Sequence, residues 1–372
     1  MIRHLLISFS IVTLILCAGC GSTDSTVPAN LGPSEQEAAF QQSVQRFFNS
    51  EGLPAVAAGL WQPGREPFLV LLGEADVEAG RAVTAQDRFR IGSVTKSYTV
   101  TVLLQLVDEG LVSLDDPIGD YLPTIHNPEA TLEELANMTS GIFNYSEDPD
   151  FLNLFLNDLT RAWTEPELIQ VAINNLPYFA PGADWRYSNT NTVALGMVIE
   201  QVTGNSLARE MELRIFQPLQ LSGTSYPSTV EIPFPFARGY GIMDPPQLED
   251  MTVSHPSSTA GSGALVTNLN DLAIWGRALG SGSLISEQLH ARRLQLIPNN
   301  NCTSCPEYDG YGMGIGNLDG WIGHTGDFIG YQALVMYQPQ TEQVAVILIN
   351  LKNFTNRDHV PTNIFRDFID SL

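Results

Sequence analysis

One of the two lysines in this chain lies three residues after a serine, within residues 92–97 (Gly-Ser-Val-Thr-Lys-Ser). Residues three apart share one face of a helix, so a helix that starts here would bring the Lys96 ammonium beside the Ser93 hydroxyl. A serine becomes an effective nucleophile when a neighbouring base removes its proton, and a desolvated lysine can be that base. The pair alone is weak evidence, because coincidence also produces such spacings.

Two further polar segments lie just before predicted elements. Residues 187–189 (Tyr-Ser-Asn) precede a helix predicted from about residue 191, and residues 324–326 (His-Thr-Gly) precede the last predicted strand pair. Taken singly, the tyrosine is typical of a half-buried packing residue, the asparagine of a helix cap and the histidine of a turn. Only their order along the chain after Ser93 and Lys96 gives them a chemical meaning.

That order resembles the serine penicillin-recognising superfamily, which contains DD-peptidases, class C β-lactamases and related esterases. The resemblance includes residues 88–123, around the predicted nucleophile helix, and residues 138–141 (Met-Thr-Ser-Gly), and it spans roughly residues 38–370. It implies a serine acyl-hydrolase that works through an acyl-enzyme, without a metal or a cofactor. Competing motifs are missing from the sequence: it has no Gly-x-Ser-x-Gly, and Glu133 and Glu134 are wrongly spaced for a deacylating glutamate.

The resemblance also implies a role for each residue. Ser93 would attack a carbonyl carbon, Lys96 would accept its proton, and Tyr187 would pass that proton to the leaving group. A phenol close to cations can have a lowered pKa, which is what we expect for Tyr187. The implied substrate-binding residues are Asn189, His324, Thr325, Gly326 and Asp327.

Within that set, each implied contact is specific. The Asn189 amide would hold both Lys96 and an amide carbonyl of the substrate. The backbone N–H groups of Ser93 and Asp327 would form the oxyanion hole. His324 replaces the more common lysine and would supply a polar group whose charge depends on pH.

The substrate class is less well determined. A D-alanyl-D-alanine carboxypeptidase-like activity is the first interpretation, from the similarity over the whole chain. Such an enzyme must hold a carboxylate, and Asp327 would repel one unless His324, Thr325 or Arg292 compensates. Asp327 therefore favours an ester or amide substrate, and p-nitrophenyl butyrate is expected to react faster than a diacyl-D-Ala-D-Ala peptide. The alternatives are an esterase or amidase, a β-lactamase, or a non-catalytic surface protein that binds peptidoglycan or β-lactams.

The elements that must position these residues come from both ends of the chain. Strands are predicted at 54–61, 68–72, 332–337 and 343–350, and helices at 34–50, 94–108, 166–174, 191–202 and 362–370. This order predicts an α+β fold: an antiparallel sheet built from both chain ends and flanked by helices, with a mostly helical region inserted at about 95–260. Residues 233–246, rich in Pro and Gly, are predicted to be a surface loop.

Charge limits the partners. The chain has 18 Lys and Arg against 41 Asp and Glu, a formal net charge of −23. Such a surface repels nucleic acid and anionic lipid, so the expected partner is a small molecule or a peptidoglycan peptide. The sequence predicts no oligomeric state.

The N-terminus resembles an export signal. Arg3 and His4 precede an apolar run over 5–16, and Cys20 follows small residues as in a bacterial lipobox. We expect residues 1–19 to be a signal peptide, 20–37 a tether and 38–372 the hydrolase domain. The protein would then be a lipoprotein facing the periplasm or the cell exterior, with its acyl group as the only membrane contact; otherwise it is secreted.

In an exported protein, Cys302 and Cys305 favour a local disulfide. A zinc site would need two further ligands with comparable spacing, which the sequence does not offer.

Overall fold

The helices and strands of this computed structural model follow the predicted order closely. It describes residues 34–243, 247–298, 306, 308–356 and 358–372. In these ranges the α-helices are α1 (Glu35–Glu51), α2 (Thr95–Asp108), α3 (Leu132–Ala136), α4 (Pro149–Asn157), α5 (Glu165–Ile173), α6 (Asn189–Thr203), α7 (Leu207–Met211), α8 (Leu269–Ser281), α9 (Glu287–Arg293) and α10 (Val360–Asp370). The strands are β1 (Ala55–Trp61), β2 (Phe68–Asp76), β3 (Arg81–Ala82), β4 (Phe89–Arg90), β5 (Tyr240–Ile242), β6 (Leu248–Asp250), β7 (Val266–Thr267), β8 (Ile297–Pro298), β9 (Gly310–Tyr311), β10 (Gly316–Leu318), β11 (Trp321–Phe328), β12 (Tyr331–Gln338), β13 (Gln343–Ile349) and β14 (Leu351–Asn353).

The main sheet joins the two ends of the chain. Its order is β3-β2-β1-β13-β12-β11-β10-β9-β8, and neighbouring strands are antiparallel. The junction is the pairing of β1 with β13, in register from Val56 opposite Ile349 to Trp61 opposite Val344. The predicted fold class, an α+β protein with an antiparallel sheet from both chain ends and flanking helices, is confirmed.

Both faces of the central strands are buried. Side chains alternate along a strand, so β13 sends Val344, Val346 and Leu348 into the core beneath the inserted helices. Ala345 and Ile347 pack on the opposite face, in the core formed with α1 and α10. Packing on both faces therefore fixes the position of the sheet, and with it the position of β11, between the two cores.

Local signals explain the helix ends near the site. Thr131 and Glu134 form a capping box at α3, and Gly204, with φ of 70°, ends α6. The helix predicted from residue 191 begins at Asn189, because Ser188 is extended and serves as its N-cap. Part of the predicted loop at 233–246 is strand β5, which pairs with the distant β14, a partner that local composition does not reveal.

The described residues Glu35–Leu372 form one compact unit. Helix α1 begins at Glu35, inside the predicted tether, and Glu37 is buried and paired with Arg65. Within the ranges given above, no helix has the length and apolar character needed to cross a bilayer. The predictions for Cys20, Cys302 and Cys305 fall on residues that lie outside the described ranges.

Candidate active site

Ser93 and Lys96 lie side by side where α2 begins. Ser93 is part of a 3₁₀ turn over Gly92–Val94 that leads directly into the helix. The Nζ atom of Lys96 lies 2.9 Å from Ser93 Oγ and donates a second hydrogen bond, also 2.9 Å, to the carbonyl of Ser262. Ser93 is partly exposed and Lys96 is fully buried. The predicted juxtaposition is therefore present, with the hydroxyl open to solvent and the amine beneath it.

The environment of Lys96 favours the neutral amine. Burial holds the pKa of Lys96 well below its usual value, because water no longer solvates the ammonium. Burial is the sole cause of the shift, so no carboxylate of the described residues lies close enough to restore the charged form. An uncharged amine at hydrogen-bond distance from a serine hydroxyl can accept its proton.

Tyr187 closes the other side of this pair. Lys96 Nζ lies 4.8 Å from the centroid of the Tyr187 ring. The Ser93 hydroxyl favours the phenolate, yet burial outweighs this effect and raises the pKa of Tyr187 well above its usual value. The predicted lowering of this pKa is therefore wrong, because burial of Tyr187 itself disfavours the phenolate. The Tyr187 oxygen has no hydrogen bond of regular geometry within the described residues.

Two glycines let β11 pass directly against the turn that carries Ser93. A Cβ on Gly326 would lie 1.9 Å from the carbonyl oxygen of Ile91, and one on Gly92 would lie 2.4 Å from that of Asp327. Gly92 also has φ of 47°, which other residues rarely adopt. The backbones of Ser93 and Asp327 are therefore neighbours only because both positions lack a side chain.

The N–H of Asp327 points to the open edge of β11. The Thr325 N–H donates to Tyr308 Oη at 2.7 Å, on the side of β11 away from β12. N–H groups two residues apart on a strand point the same way, so the N–H of Asp327 shares this direction. The arrangement fits an oxyanion hole formed with the N–H of Ser93, and that role stays a prediction.

His324 is a neutral, buried ring. Its Nδ1 lies 2.5 Å from the Thr325 carbonyl and its Nε2 lies 2.9 Å from Tyr311 Oη, so the neutral ring donates through the first and accepts through the second. Tyr308 Oη is 3.2 Å from Nδ1. Burial, followed by the proximity of Lys96, lowers the pKa of His324 to about 3. The predicted pH-dependent charge is therefore wrong for the neutral range.

Asn189 is held by neighbours other than Lys96. Its side-chain amide donates to Ser146 Oγ at 2.8 Å, and its backbone N–H donates to Asn144 Oδ1 at 3.0 Å. The carbonyl of Ser262, not Asn189, is the second partner of Lys96. The Asn189 side-chain oxygen is buried and has no hydrogen bond within the described ranges. The proposed contact with a substrate amide stays a prediction.

The side chain of Asp327 forms an ion pair with Lys352, the other lysine of the chain. This pairing compensates the carboxylate, so the expected repulsion of a substrate carboxylate loses its basis. Arg292, considered as the compensating cation, pairs instead with Glu133 and Asp115. Sequence reasoning missed Lys352, although the scarcity of lysine was a signal that could have singled it out.

Other supporting groups had no signal in the sequence. The Ser262 carbonyl is a backbone atom far along the chain, and Ser146 and Tyr308 are ordinary residue types that only the fold brings to the site. Among the residues for which the structure gives positions, no group of three His, Cys, Asp or Glu side chains is arranged to hold a metal ion.

Comparison with known proteins gives this arrangement its context. The family model described as Beta-lactamase matches residues 38–366. The chain belongs to the beta-lactamase family. A solved D-stereospecific amidohydrolase from Streptomyces sp. is 31% identical, with a TM-score of 0.78, and the match covers 89% of this chain and 97% of that one. By this membership, residues 38–366 form a domain of the serine hydrolase family with the β-lactamase fold.

More distant relatives share the family's architecture. A D-amino acid amidase from Ochrobactrum anthropi has a TM-score of 0.80 at 23% identity, covering 91% of this chain and 98% of that one, which shows a common fold. Protein flp of Staphylococcus aureus is 26% identical over 310 residues, which are 78% of this chain and 57% of that protein. Penicillin-binding protein 4* of Bacillus subtilis is 24% identical, with 76% and 65% covered. The chain thus spans less than two thirds of these curated relatives.

Proposed function

We propose that the protein hydrolyses amide bonds of D-configured amino acids through an acyl-enzyme on Ser93. The observation that carries the proposal is the fully buried Lys96 amine, 2.9 Å from the Ser93 hydroxyl and without a carboxylate partner in the described ranges. Burial favours the uncharged amine, and a lysine must be uncharged to accept a proton from a hydroxyl.

The reaction follows from the positions of the groups. As the bond from Ser93 Oγ to the amide carbon forms, the hydroxyl proton moves to Lys96 Nζ. The C–N bond then breaks, and the leaving amine takes a proton from Tyr187, which burial keeps protonated, while Lys96 returns its proton to Tyr187. Water then attacks the acyl carbon while the proton transfers run in reverse order, which releases the acid and restores Ser93. The N–H groups of Ser93 and Asp327 would stabilise the oxyanion in both halves.

The choice of amide and of D configuration is supported by the Streptomyces relative, which is named as a D-stereospecific amidohydrolase and matches almost end to end. Ion pairing of Asp327 also leaves no uncompensated carboxylate at the edge of β11. This edge therefore accommodates a neutral amide, but the ion pair does not by itself select an amide over a substrate with a carboxylate.

The test is ammonia release from D-alaninamide and L-alaninamide by the purified protein. We expect the D enantiomer to be hydrolysed faster and Ser93→Ala to abolish the reaction. Equal rates, or a preference for the L enantiomer, would contradict the proposal. A Ser93-dependent covalent adduct with a fluorescent penicillin or an activated ester would separate an enzyme with another substrate from a non-catalytic binding protein, which forms no adduct.

A D-alanyl-D-alanine carboxypeptidase-like activity is a second candidate, and Lys352 favours it. Its ammonium pairs with Asp327 at the edge of β11, so this carboxylate no longer repels the free carboxylate of a peptidoglycan peptide. Parallel assays of a diacyl-D-Ala-D-Ala peptide, p-nitrophenyl butyrate and nitrocefin would rank the peptidase, the esterase and the β-lactamase activities. Peptide cleavage faster than D-alaninamide hydrolysis would make the peptidase the better description.

We also propose that the protein is exported and acylated on Cys20, on the sequence pattern alone. Palmitate labelling in the source bacterium should then depend on this residue. Labelling of Cys20→Ser equal to that of the unmodified protein would reject the lipid anchor.

A further inference from the structure

A cavity of about 160 Å³ opens beside the candidate active site, between α4, the end of β11 and the segment after β13. We call it the side pocket. Its lining includes Ser146, Thr259 and Asp327 together with several large apolar side chains. The apolar side chains of this pocket have no part in the catalytic and binding roles given above.

Three lining residues connect the pocket to the candidate active site. The Asp327 backbone lies against Gly92, next to Ser93. Ser146 accepts a hydrogen bond from the Asn189 amide. The Thr259 carbonyl accepts a hydrogen bond from the Ser262 hydroxyl, and the carbonyl of Ser262 holds Lys96. The side pocket therefore adjoins the candidate active site on the side of Asp327 and Asn189.

Apart from Ser258 and Lys352, the rest of the lining is apolar and largely aromatic. Helix α4 contributes three apolar side chains, and the end of β11, the turn after it and the segment after β14 contribute the others: Phe151, Leu152, Phe155, Phe328, Ile329 and Phe354. An apolar cavity of about 150 Å³ is large enough to bind a benzene ring. The side pocket has that size and that character, so it suits a phenyl ring better than a methyl group.

The charges of the pocket support a neutral occupant. Its only charged lining residues in the described part of the chain are Asp327 and Lys352, and they neutralise each other. A single ionic group entering the pocket would have to compete with this pair and lose its own water. A hydrocarbon ring carries no charge, so it neither competes with the ion pair nor loses water bound to an ionic group.

We propose that the side pocket selects an aromatic side chain on the amino acid that acylates Ser93. This inference rests on the proposed function and makes it more specific: the preferred substrates are amides of aromatic D-amino acids. Leu152 is a specificity residue in this proposal, because it covers the pocket from α4 without touching the reacting atoms.

The first measurement compares D-phenylalaninamide with D-alaninamide. We expect kcat/KM to be roughly tenfold or more higher for the phenylalanine compound, since an apolar pocket discriminates by about that factor for each added group. An equal or higher value for D-alaninamide would overturn the proposal.

The second measurement uses a matched pair of variants on one helix. Leu152 and Leu154 are both exposed on α4, but only Leu152 lines the pocket. Leu152→Ala should reduce the ratio of the two kcat/KM values several-fold, whereas Leu154→Ala should leave it unchanged. An equal effect of both substitutions would assign the change to α4 as a whole and reject a specific role for Leu152.

A third measurement separates this proposal from the amidase proposal. p-Nitrophenyl 3-phenylpropanoate and p-nitrophenyl acetate present a phenyl and a methyl group without an amide and without an α-amino group. If neither D-amide is hydrolysed, a preference for the phenylpropanoate that Leu152→Ala reduces would support the pocket while the amidase function fails. Without that preference, the pocket proposal fails as well.

Discussion

The two lysines of this chain occupy opposite environments. Lys96 is fully buried at the start of α2, and its partners are a hydroxyl and a carbonyl. The Lys352 side chain is 16% exposed and forms an ion pair with the Asp327 carboxylate, which is 43% exposed. The side chains are chemically identical, but burial without a counterion lowers the pKa of Lys96, while Lys352 is paired with a carboxylate.

This contrast shows that burial and the presence of a counterion together decide what a buried or half-buried lysine does. A carboxylate beside Lys96 would stabilise the ammonium and prevent it from accepting a proton from Ser93. Removal of the Asp327 carboxylate would leave the Lys352 ammonium without this counterion at the edge of β11. The predictions that follow test the two environments against each other.

The largest expected effect is on catalysis. Lys96→Met should lower kcat/KM by roughly 10²–10⁴-fold, the usual contribution of a general base. Lys352→Met should have a far smaller effect, because Lys352 does not contact Ser93. Steady-state kinetics of both variants with one activated ester would check this difference, and similar losses in the two variants would remove the basis for assigning Lys96 as the base.

The next effect concerns the close approach that joins β11 to the nucleophile turn. Gly326→Ala would push a methyl group against the carbonyl of Ile91, so we expect a loss of about 1–3 kcal/mol in the free energy of unfolding and a strong loss of activity. Gly320→Ala is the control, since that glycine has a positive φ but open space around it. It should lose stability and keep its activity, as measured by thermal unfolding and ester hydrolysis. Full activity in Gly326→Ala would show that the approach is not needed.

The third effect is on stability as a function of pH. Burial holds the pKa of Lys96 well below 10.5 in the folded protein, whereas this ordinary value applies after unfolding. Between the lowered pKa and 10.5 the unfolded chain therefore binds an extra proton, and raising the pH favours folding. Relative to Lys96→Met, the unmodified protein should gain up to about 1.4 kcal/mol of stability for each pH unit in this range.

Denaturant unfolding at several pH values would measure that slope. Lys352→Met, the control, should show no comparable slope, because Lys352 is partly exposed and pairs with Asp327. A flat difference between the unmodified protein and Lys96→Met would mean that Lys96 is charged when buried.

The smallest effect is that of the ion pair itself. Partly exposed ion pairs contribute about 0.2–1 kcal/mol, so Asp327→Asn and Lys352→Met should each change stability by no more than this. A double-mutant cycle at low and high salt would measure the coupling, which should weaken as salt screens it. A salt-independent coupling of several kcal/mol would show that the pair is a buried structural element.

Some of the site was predictable because the sequence itself brings the residues together. Ser93 and Lys96 are separated by less than one helical turn, so local geometry alone places Nζ beside Oγ. The capping box at Thr131 and the glycine end of α6 are likewise local. Apolar patterns at both ends of the chain predicted β1, β2, β12 and β13, which are four of the nine strands that the described residues contribute to the main sheet.

Other features depended on residues far apart in the chain. The lowered pKa expected for Tyr187 and the pH-dependent charge expected for His324 were wrong because a sequence does not show how much water remains around a group. Lys352, the partner of Asp327, was missed because β14 and β11 are separated in sequence and come together only in the folded protein.

The sequence by itself determined the motif order, the α+β class and the pairing of Ser93 with Lys96, since each follows from periodicity and short-range spacing. The tertiary structure alone decided the charge state of Lys96 and His324, the close approach of Asp327 to Ser93, and the side pocket. These depend on desolvation and on contacts between distant segments, and both arise only when the whole chain has packed.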